Sequence, residues 1–160
     1  MALFGRKRTT VALDIGSGLI KLVVIDHGSG EPVLTKVAFT SVVDGAIVEG
    51  EVMDPGIVAD AVRGLLSTAG IKAKKVVTAV GGRDVIIKKI AMDRMKEAEA
   101  REVIRWEAEQ HVPFDMDNVE LDFQILDPDG EGLQMTVLLV AAKRELIENK
   151  MALLSEVGIE

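Results

Sequence analysis

The residues with the clearest potential for chemistry lie near the N-terminus, in the run Asp14-Ile15-Gly16-Ser17-Gly18-Leu19-Ile20-Lys21. Apolar runs on both sides predict two strands, and Gly16-Ser17-Gly18 would be the hairpin turn that joins them. Such a turn exposes backbone N–H groups and a hydroxyl, while Asp14 and Lys21 place opposite charges at its mouth. This arrangement is suited to hold a phosphate group and its magnesium ion.

The spacing alone leaves the ordinary interpretation open. Asp-x-Gly also occurs at Asp26-His27-Gly28 and at Asp54-Pro55-Gly56, where the neighbouring residues indicate a turn and a helix cap. The pattern at Asp14 therefore fits both a phosphate site and a simple hairpin, and taken by itself it favours the hairpin.

A second glycine-rich loop, Gly81-Gly82-Arg83-Asp84, lies between the apolar runs Val76–Val80 and Val85–Ile90. A phosphate loop is one interpretation of the glycine pair. A turn between two strands explains it without any ligand. We therefore predict a second hairpin here.

Three further residues lie together near the end of a predicted helix, Lys96–His111. Glu107 and His111 are four residues apart, which is typical of a partly buried pair that stabilises a helix C-terminus. A catalytic dyad is the alternative. Trp106 lies at the edge of the apolar stripe of this helix, and we predict that it packs there, with a role as a partner anchor as the alternative.

The composition of the 160 residues narrows the class of protein. A net charge of −7 and 3% aromatic residues argue against a nucleic-acid binder. The chain has no cysteine, which excludes disulfides and thiolate metal sites, and its two histidines are too far apart in sequence to predict a histidine metal cluster.

Signals for a membrane or for export are weak. No apolar run approaches the ~18 residues that a membrane span needs. Met1–Gly5 is too short for the apolar part of a secretory leader, and Arg6–Arg8 follows it rather than preceding it. We interpret the basic run as a solvated lead-in, with contact to anionic lipid as the alternative, and expect a cytoplasmic domain.

Hydrophobic periodicity and turn residues predict a mixed α/β fold. Three strands joined by short turns indicate an antiparallel meander, and a helix begins after Asp54 and ends at Gly70. Strict alternation predicts a half-exposed strand, and a nearly continuous apolar run predicts a central strand covered on both faces. The predicted elements are strands Val11–Ile15, Leu19–Ile25, Val33–Thr40, Val76–Val80, Val85–Ile90, Val119–Ile125 and Leu133–Ala142, an undecided segment Ile47–Val52, and helices at 55–69, Lys96–His111 and Arg144–Val157.

The last predicted helix has Leu146, Ile147, Met151, Leu154 and Val157 on its inward face, and Gly158 ends it. A strand followed by a helix normally continues into another parallel strand. No such strand follows here, so we expect the 160 residues to be a truncated chain, with a free sheet edge that favours self-association or domain swapping.

Several verbatim stretches resemble a known family. Val11–Ser17 followed by Ile20–Leu22 is similar to the first phosphate motif of actin-like ATPases. The run Arg105–Phe114, continued by Val119–Phe123, resembles the signature of the PilM family of type IV pilus assembly proteins. Val140–Glu145 and Leu153–Gly158 also match that family's pattern, so that the resemblance covers essentially the whole chain.

The resemblance implies the N-terminal part of an actin-like ATPase, similar to the division protein FtsA, with a ribonuclease H-like core subdomain and an inserted α/β subdomain of the FtsA and PilM type. Residues 1–41 would form the core meander, 42–139 the insert, and 140–160 the return to the core. It also implies a cytoplasmic protein, peripheral to the inner membrane, that holds the N-terminal segment of PilN in a groove where core and insert meet. Other pilus platform proteins would be further partners, in an assembly that serves twitching motility.

For the phosphate motif, the resemblance implies ATP and Mg²⁺ in the full-length protein. Asp14 would orient magnesium-bound water, Gly16, Ser17 and Gly18 would contact phosphate oxygens, and Lys21 would reach the same phosphates. The second phosphate motif and the adenosine site of the family do not occur in this sequence. We therefore expect at most weak ATPase activity from the full-length protein, no catalytic residues, and weak or no ATP binding by this chain alone.

His111 replaces the tyrosine that is common in the family signature, a small departure.

Two other functions remain as alternatives. One is an ATP-dependent enzyme of the same superfold, because fold does not fix function. The other is a cell-division protein resembling FtsA, against which the run Arg105–Phe114 argues. A type II secretion platform shares related parts and is not separated by these residues.

Overall fold

The structure, a computed structural model, describes residues 9–28 and 30–160. The basic run Arg6–Arg8 lies outside the described residues. Ser29, between the second and third predicted strands, lies outside them as well. The elements in chain order are strands β1 (Thr9–Ile15), β2 (Leu19–Asp26), β3 (Val33–Ser41), β4 (Ile47–Val48) and β5 (Glu51–Val52), helix α1 (Pro55–Thr68), strands β6 (Val77–Thr78) and β7 (Val85–Asp93), helix α2 (Glu97–Glu109), a 3₁₀ turn (Met116–Asn118), strands β8 (Val119–Ile125) and β9 (Gln134–Lys143), and helix α3 (Arg144–Glu156).

The chain divides into two compact units. The first comprises the described residues up to Ala79 together with Lys150–Glu160, and the second comprises Val80–Asn149. These limits differ from the expected boundaries at 42 and 139, because α1 packs in the same core as β1 and β2. Which segment is an insertion into an actin-like core stays a prediction, since contacts within a single chain do not identify an insertion.

The first unit is built on a sheet with strand order β3-β2-β1-β6. The predicted meander is confirmed, because β1 pairs antiparallel with β2 and β2 pairs antiparallel with β3. Alternate residues of β1 and β2, including Leu13, Ile20 and Leu22, are almost completely buried against α1. Leu153 and Leu154 of α3 belong to the same core.

Helix α1 begins and ends where the sequence predicts. Asp54 caps its N-terminus, and its Oδ1 accepts a hydrogen bond from the Ile57 N–H at 3.0 Å. Pro55 occupies the first helical position, where no N–H is required. Gly70, with φ of +65°, adopts the left-handed conformation that ends the helix.

The predicted hairpin around Gly81-Gly82 is wrong. β6 pairs parallel with β1, and β7 pairs antiparallel with β9 over its whole length. The two segments thus belong to different sheets, although only a short loop separates them. Turn residues identify a change of chain direction but not the strand that each segment pairs with.

The second unit is built on a sheet with strand order β7-β9-β8, covered on one face by α2. The predicted alternation of β8 is confirmed: Val119 is buried and its even-numbered neighbours are exposed. The central position of β9 is confirmed as well. Its expected burial on both faces is wrong, because Leu138 and Val140 stay half-exposed on the face that α2 does not cover.

Four of the five residues predicted on the inward face of the last helix are buried or half-buried, and Met151 is the exception. Met151 is 64% exposed, and Leu153 is buried instead. Lys150 is half-buried and lies four residues before Leu154, on the same side of the helix. Within the described residues, no helix is both long and apolar enough to cross a membrane.

Candidate functional site

The β1–β2 hairpin brings the predicted phosphate-site residues together. Asp14 and Lys21 are direct partners across the two strands, and Lys21 Nζ lies 2.9 Å from Asp14 Oδ2. More than half of each side chain is exposed: 61% of Asp14 and 54% of Lys21. An ion pair this exposed contributes little to stability, so that either group can change partner for a ligand at small cost.

The three loop residues have different environments. The Gly16 N–H donates to the Leu19 carbonyl at 3.1 Å, and a Cβ at Gly16 would lie 3.2 Å from the same oxygen. Gly16 thus closes the hairpin. In the part of the chain that the structure describes, no hydrogen bond engages the N–H groups of Ser17 and Gly18 or the Ser17 hydroxyl. A Cβ at Gly18 would meet nothing within 4 Å, which leaves the backbone open to a ligand.

A further cation, not predicted from the sequence, lies beside this hairpin. Lys150 of α3 donates from Nζ to the Ala79 carbonyl at 2.9 Å, at the end of β6. Burial lowers the pKa of Lys150, and the charge of Asp14 partly opposes that shift. The sequence does contain an indication of this residue, because Lys150 lies among the apolar, inward-facing positions of the last helix. A charged side chain loses hydration there, which points to a specific role.

These residues meet at the carboxyl ends of two parallel strands. Asp14 is the second-last residue of β1, and Ala79 directly follows β6, the parallel neighbour of β1. Crevices at the carboxyl ends of parallel strands are common ligand sites in α/β proteins. Two ammonium groups, a carboxylate and free loop N–H groups fit a phosphate group with a hydrated divalent cation. Within the described residues, no cluster of three or more His, Cys, Asp or Glu side chains could hold a metal ion by itself.

The second candidate site is a concavity of about 730 Å³ in the second unit. It lies where the end of α2 and the following turn approach the junction of β9 and α3. Its lining residues are Pro113, Phe114, Asp115, Asn118, Lys143, Arg144, Glu145 and Glu148. The two stretches of sequence that carry the family resemblance in this unit, Arg105–Phe114 and Val140–Glu145, thus contribute to one surface.

Charged contacts fix the walls of this concavity. Lys143 Nζ lies 5.0 Å from the centre of the Phe114 ring and 2.6 Å from Asp84 Oδ1. Arg144 Nε donates to Glu120 Oε1 at 2.8 Å. Arg105, inside the signature, donates to the Met116 carbonyl at 2.6 Å and so holds the 3₁₀ turn.

The carboxylates of Glu145 and Glu148, by contrast, are exposed and have no hydrogen-bond or ion-pair partner among the described residues. They lie on the first turns of α3, beside the apolar surface of Pro113 and Phe114. The lining therefore combines the apolar side chains of Pro113 and Phe114 with two unpaired carboxylates. This is a surface suited to a peptide that presents an apolar side chain next to a positive charge.

Two predictions about α2 differ from the structure. Trp106 is 71% exposed and does not pack against the core. Glu107 and His111 are both half-buried, but in the described part of the chain neither hydrogen bond nor ion pair joins them. Their side chains therefore form neither the expected helix-end pair nor a dyad.

The first comparison concerns the fold class, which is mixed α/β. A mixed α/β fold of the expected kind is found in the cytoplasmic domain of EpsL, an inner-membrane component of the type II secretion system of Vibrio cholerae, with a TM-score of 0.57. The sequences are 12% identical over 94% of this chain and 54% of that chain, so the likeness shows the fold alone.

A closer relationship identifies the family. The sequence-family model of the type IV pilus assembly protein PilM matches residues 12–160, and the chain therefore belongs to that family. A solved chain of a PilM-PilN type IV pilus biogenesis complex is 33% identical, with a TM-score of 0.81. The match covers 94% of this chain and 45% of that chain, so this chain spans less than half of the length of that relative. The family assignment confirms the resemblance to PilM and decides against FtsA.

Proposed function

We propose that this chain is the partner-binding part of a PilM-type scaffold and that it holds the N-terminal cytoplasmic segment of a PilN-like inner-membrane protein. The observation that carries the proposal is the concavity of the second unit, because both signature stretches line it. The similar chain comes from a PilM-PilN complex, which supports the choice of partner. The scaffold would work on the cytoplasmic side, peripheral to the inner membrane through its partners.

The chemistry of the concavity indicates how a peptide would bind. Phe114 and Pro113 would contact an apolar side chain, while Glu145 and Glu148 would pair with a basic group or a terminal amine. Lys143 and Arg144 are already paired with carboxylates of this chain, so they would shape the wall rather than supply free charge.

A calorimetric titration with a synthetic peptide of the PilN N-terminus, with and without Mg-ATP, tests this proposal. We expect saturable binding by wild type, and a loss of about tenfold or more in affinity for Glu145→Gln/Glu148→Gln and for Phe114→Ala. Phe39→Ala is the matched control, since Phe39 is 70% exposed in the first unit and should not alter binding. Absence of binding by a sample with native α/β circular dichroism, in both conditions, would refute the proposal.

We further infer that the full-length protein binds ATP with Mg²⁺ at the β1–β2 hairpin. The Asp14–Lys21 pair, the unbonded N–H groups of the loop between them and the electrostatic effect of Asp14 on Lys150 support this site. Asp14 would orient water on the metal ion, and Ser17 and Gly18 would donate to phosphate oxygens. Lys21 and Lys150 would balance the phosphate charge, and Gly16 would keep the loop closed. Hydrolysis needs a positioned base that this chain does not identify.

Mg-ATP titration of the full-length protein tests the nucleotide site. Asp14→Asn should remove most of the magnesium dependence of binding, since it removes the only carboxylate assigned to the hydrated ion. Asp44→Asn, which changes an exposed carboxylate elsewhere in the first unit, is the control. Unchanged magnesium dependence in Asp14→Asn would exclude the assigned role.

A further inference from the structure

The solvent face of α2 has a feature that the proposed function does not use. Trp106 is the only tryptophan of the chain, and it is 71% exposed. Ala100, Ile104 and Ala108 form the buried side of this helix. At about 100° per residue, Trp106 projects nearly opposite to Ile104, in the middle of the solvent face. It contributes nothing to the core, and a large aromatic side chain in that position is typical of a binding hot spot.

Two carboxylates flank the indole ring. Glu102 precedes Trp106 by four residues and Glu109 follows it by three, so that all three side chains lie along one stripe of the helix. Both glutamates are exposed, and neither has a hydrogen-bond or ion-pair partner in the described part of the chain. We call Glu102, Trp106 and Glu109 the acidic tryptophan stripe.

The arginines of the same helix do not neutralise this stripe. Arg101 pairs with Glu97 at 3.0 Å and lies over the Phe123 ring at 5.2 Å from its centre. Arg105 is held by the Met116 carbonyl at 2.6 Å. Both cations are therefore directed toward other parts of the second unit, and the negative charge of the stripe is left to face solvent.

We propose that the acidic tryptophan stripe is a docking surface for a basic segment of a protein partner. The face of an indole ring attracts a guanidinium or ammonium group, and a carboxylate on each side adds charge-assisted hydrogen bonds to the same cations. The net charge of −7 reinforces this selection, because it disfavours anionic membranes and nucleic acids as the occupant.

Geometry limits the partner further. Glu102 and Glu109 are seven residues apart, which corresponds to about 10 Å along a helix. Two basic side chains about seven residues apart on a partner helix, or about three apart on an extended strand, match this distance. None of the three stripe residues lines the concavity at Phe114, so this contact is separate from the proposed peptide site.

The lone tryptophan makes the test direct. Its fluorescence would be titrated with the peptide Ac-Arg-Ala-Ala-Arg-Ala-Ala-Arg-amide and with the corresponding glutamate peptide. We expect a saturable change with the arginine peptide only, and an affinity about tenfold lower for Glu102→Gln/Glu109→Gln. Asp129→Asn/Glu131→Gln removes the same charge from another exposed part of the second unit and is the control. Equal losses in both double variants, or none in the first, would overturn the proposal.

A second experiment identifies the partner. A photo-crosslinking amino acid at Ala98, exposed one turn before Glu102, would be introduced in the cells that make the protein. The expected adduct is a segment of another protein with at least two Lys or Arg residues at the spacing given above, and it should disappear in Glu102→Lys/Glu109→Lys. An acidic or apolar segment, a second copy of this chain, a persistent adduct or no adduct would each count against the proposal. Binding of the PilN peptide should be unchanged in the same variants, which separates this test from that of the proposed function.

Discussion

Lys150 shows how a single residue can connect the fold to the candidate nucleotide site. Burial takes its ammonium group partly out of water and lowers its pKa, which costs free energy. The Ala79 carbonyl, 2.9 Å away, and the charge of Asp14 recover part of that cost. A hydrophobic residue on the same stripe would avoid the cost, and Lys150 is therefore a candidate contact for a ligand of opposite charge.

We predict that Lys150→Met weakens Mg-ATP binding by the full-length protein by about tenfold or more, because a charge-assisted contact to phosphate is lost. The fold should be kept, since methionine fills a similar volume. Lys72→Met, which changes an exposed lysine of the first unit, is the control in the same calorimetric titration. Equal affinity in Lys150→Met and wild type would exclude contact with phosphate.

Asp127 is the other residue whose titration has a structural cause. Its pKa is lowered, first by the hydrogen bond from the Thr136 N–H and then by Arg94. Thr136 N lies 2.6 Å from Asp127 Oδ1, and Arg94 Nη2 lies 2.7 Å from Oδ2. The carboxylate is favoured in the folded state, so its contribution to stability is present above the unfolded value of about 3.8 and is lost as the pH falls through the lower folded pKa.

We therefore expect the difference in unfolding free energy between wild type and Asp127→Asn to be constant at neutral pH and to shrink below about pH 3.8. Urea denaturation followed by circular dichroism at a series of pH values measures this difference. Asp129→Asn, two residues away and exposed, should show no such pH dependence. A difference for Asp127→Asn that persists unchanged at the lowest pH would contradict the assignment.

Among the elements, the turn between β8 and β9 depends on close packing around Arg94. This side chain donates to the Gly132 and Gln134 carbonyls, each at 2.8 Å, as well as to Asp127. A Cβ at Gly130 would lie 3.0 Å from Arg94 Cζ and 3.0 Å from Asp127 Oδ2. A Cβ at Gly132 would meet its nearest atom only at 3.7 Å.

Gly130→Ala should accordingly destabilise the second unit by about 1–3 kcal/mol, because the guanidinium group must move out of its hydrogen bonds. Gly132→Ala is the matched control and should change stability by less than about 0.5 kcal/mol. Thermal and urea unfolding of both variants would measure the difference. Equal stability of the two variants would show that Arg94 adapts without loss.

The elements also show what the sequence can and cannot predict. The start and end of α1 were predictable because the signals are local: Asp54 caps the helix and Gly70 ends it. The partner of β6 was not predictable, because it pairs with β1 from a distant part of the chain. The approach of Asp14 to Lys21 follows from a short hairpin, whereas the approach of Lys150 depends on packing that no local pattern specifies.

At the scale of the whole molecule, the first sheet leaves apolar side chains in contact with solvent. Phe39 and Val37 of the edge strand β3 are 70% and 59% exposed, and Val77 of β6 is 59% exposed. Cross-strand pairing continues this surface across the sheet, since Val37 lies opposite Val23 and Val77 lies opposite Ala12. Edge strands with exposed apolar residues favour association.

We expect the 160-residue chain, prepared by itself, to self-associate with increasing concentration, and Val37→Lys/Phe39→Lys to remain monomeric. Sedimentation equilibrium measures this directly. Ile87→Lys, which places a charge at a 67% exposed position of the second sheet, should not change the association. A monomeric wild-type chain up to millimolar concentration would contradict this expectation.

The discontinuity of the first unit has a consequence for how the protein is made. Residues of the second unit follow one another without interruption, whereas the core of the first unit takes Leu153, Leu154 and Ile159 from the far side of that stretch. On the ribosome, every strand of the second unit has therefore been synthesised before the first core can close. The second unit can fold early, while β1–β3 and α1 wait with their apolar faces open. A stop in translation just before Lys150 would thus release a chain in which the second unit is complete and the first unit lacks part of its core.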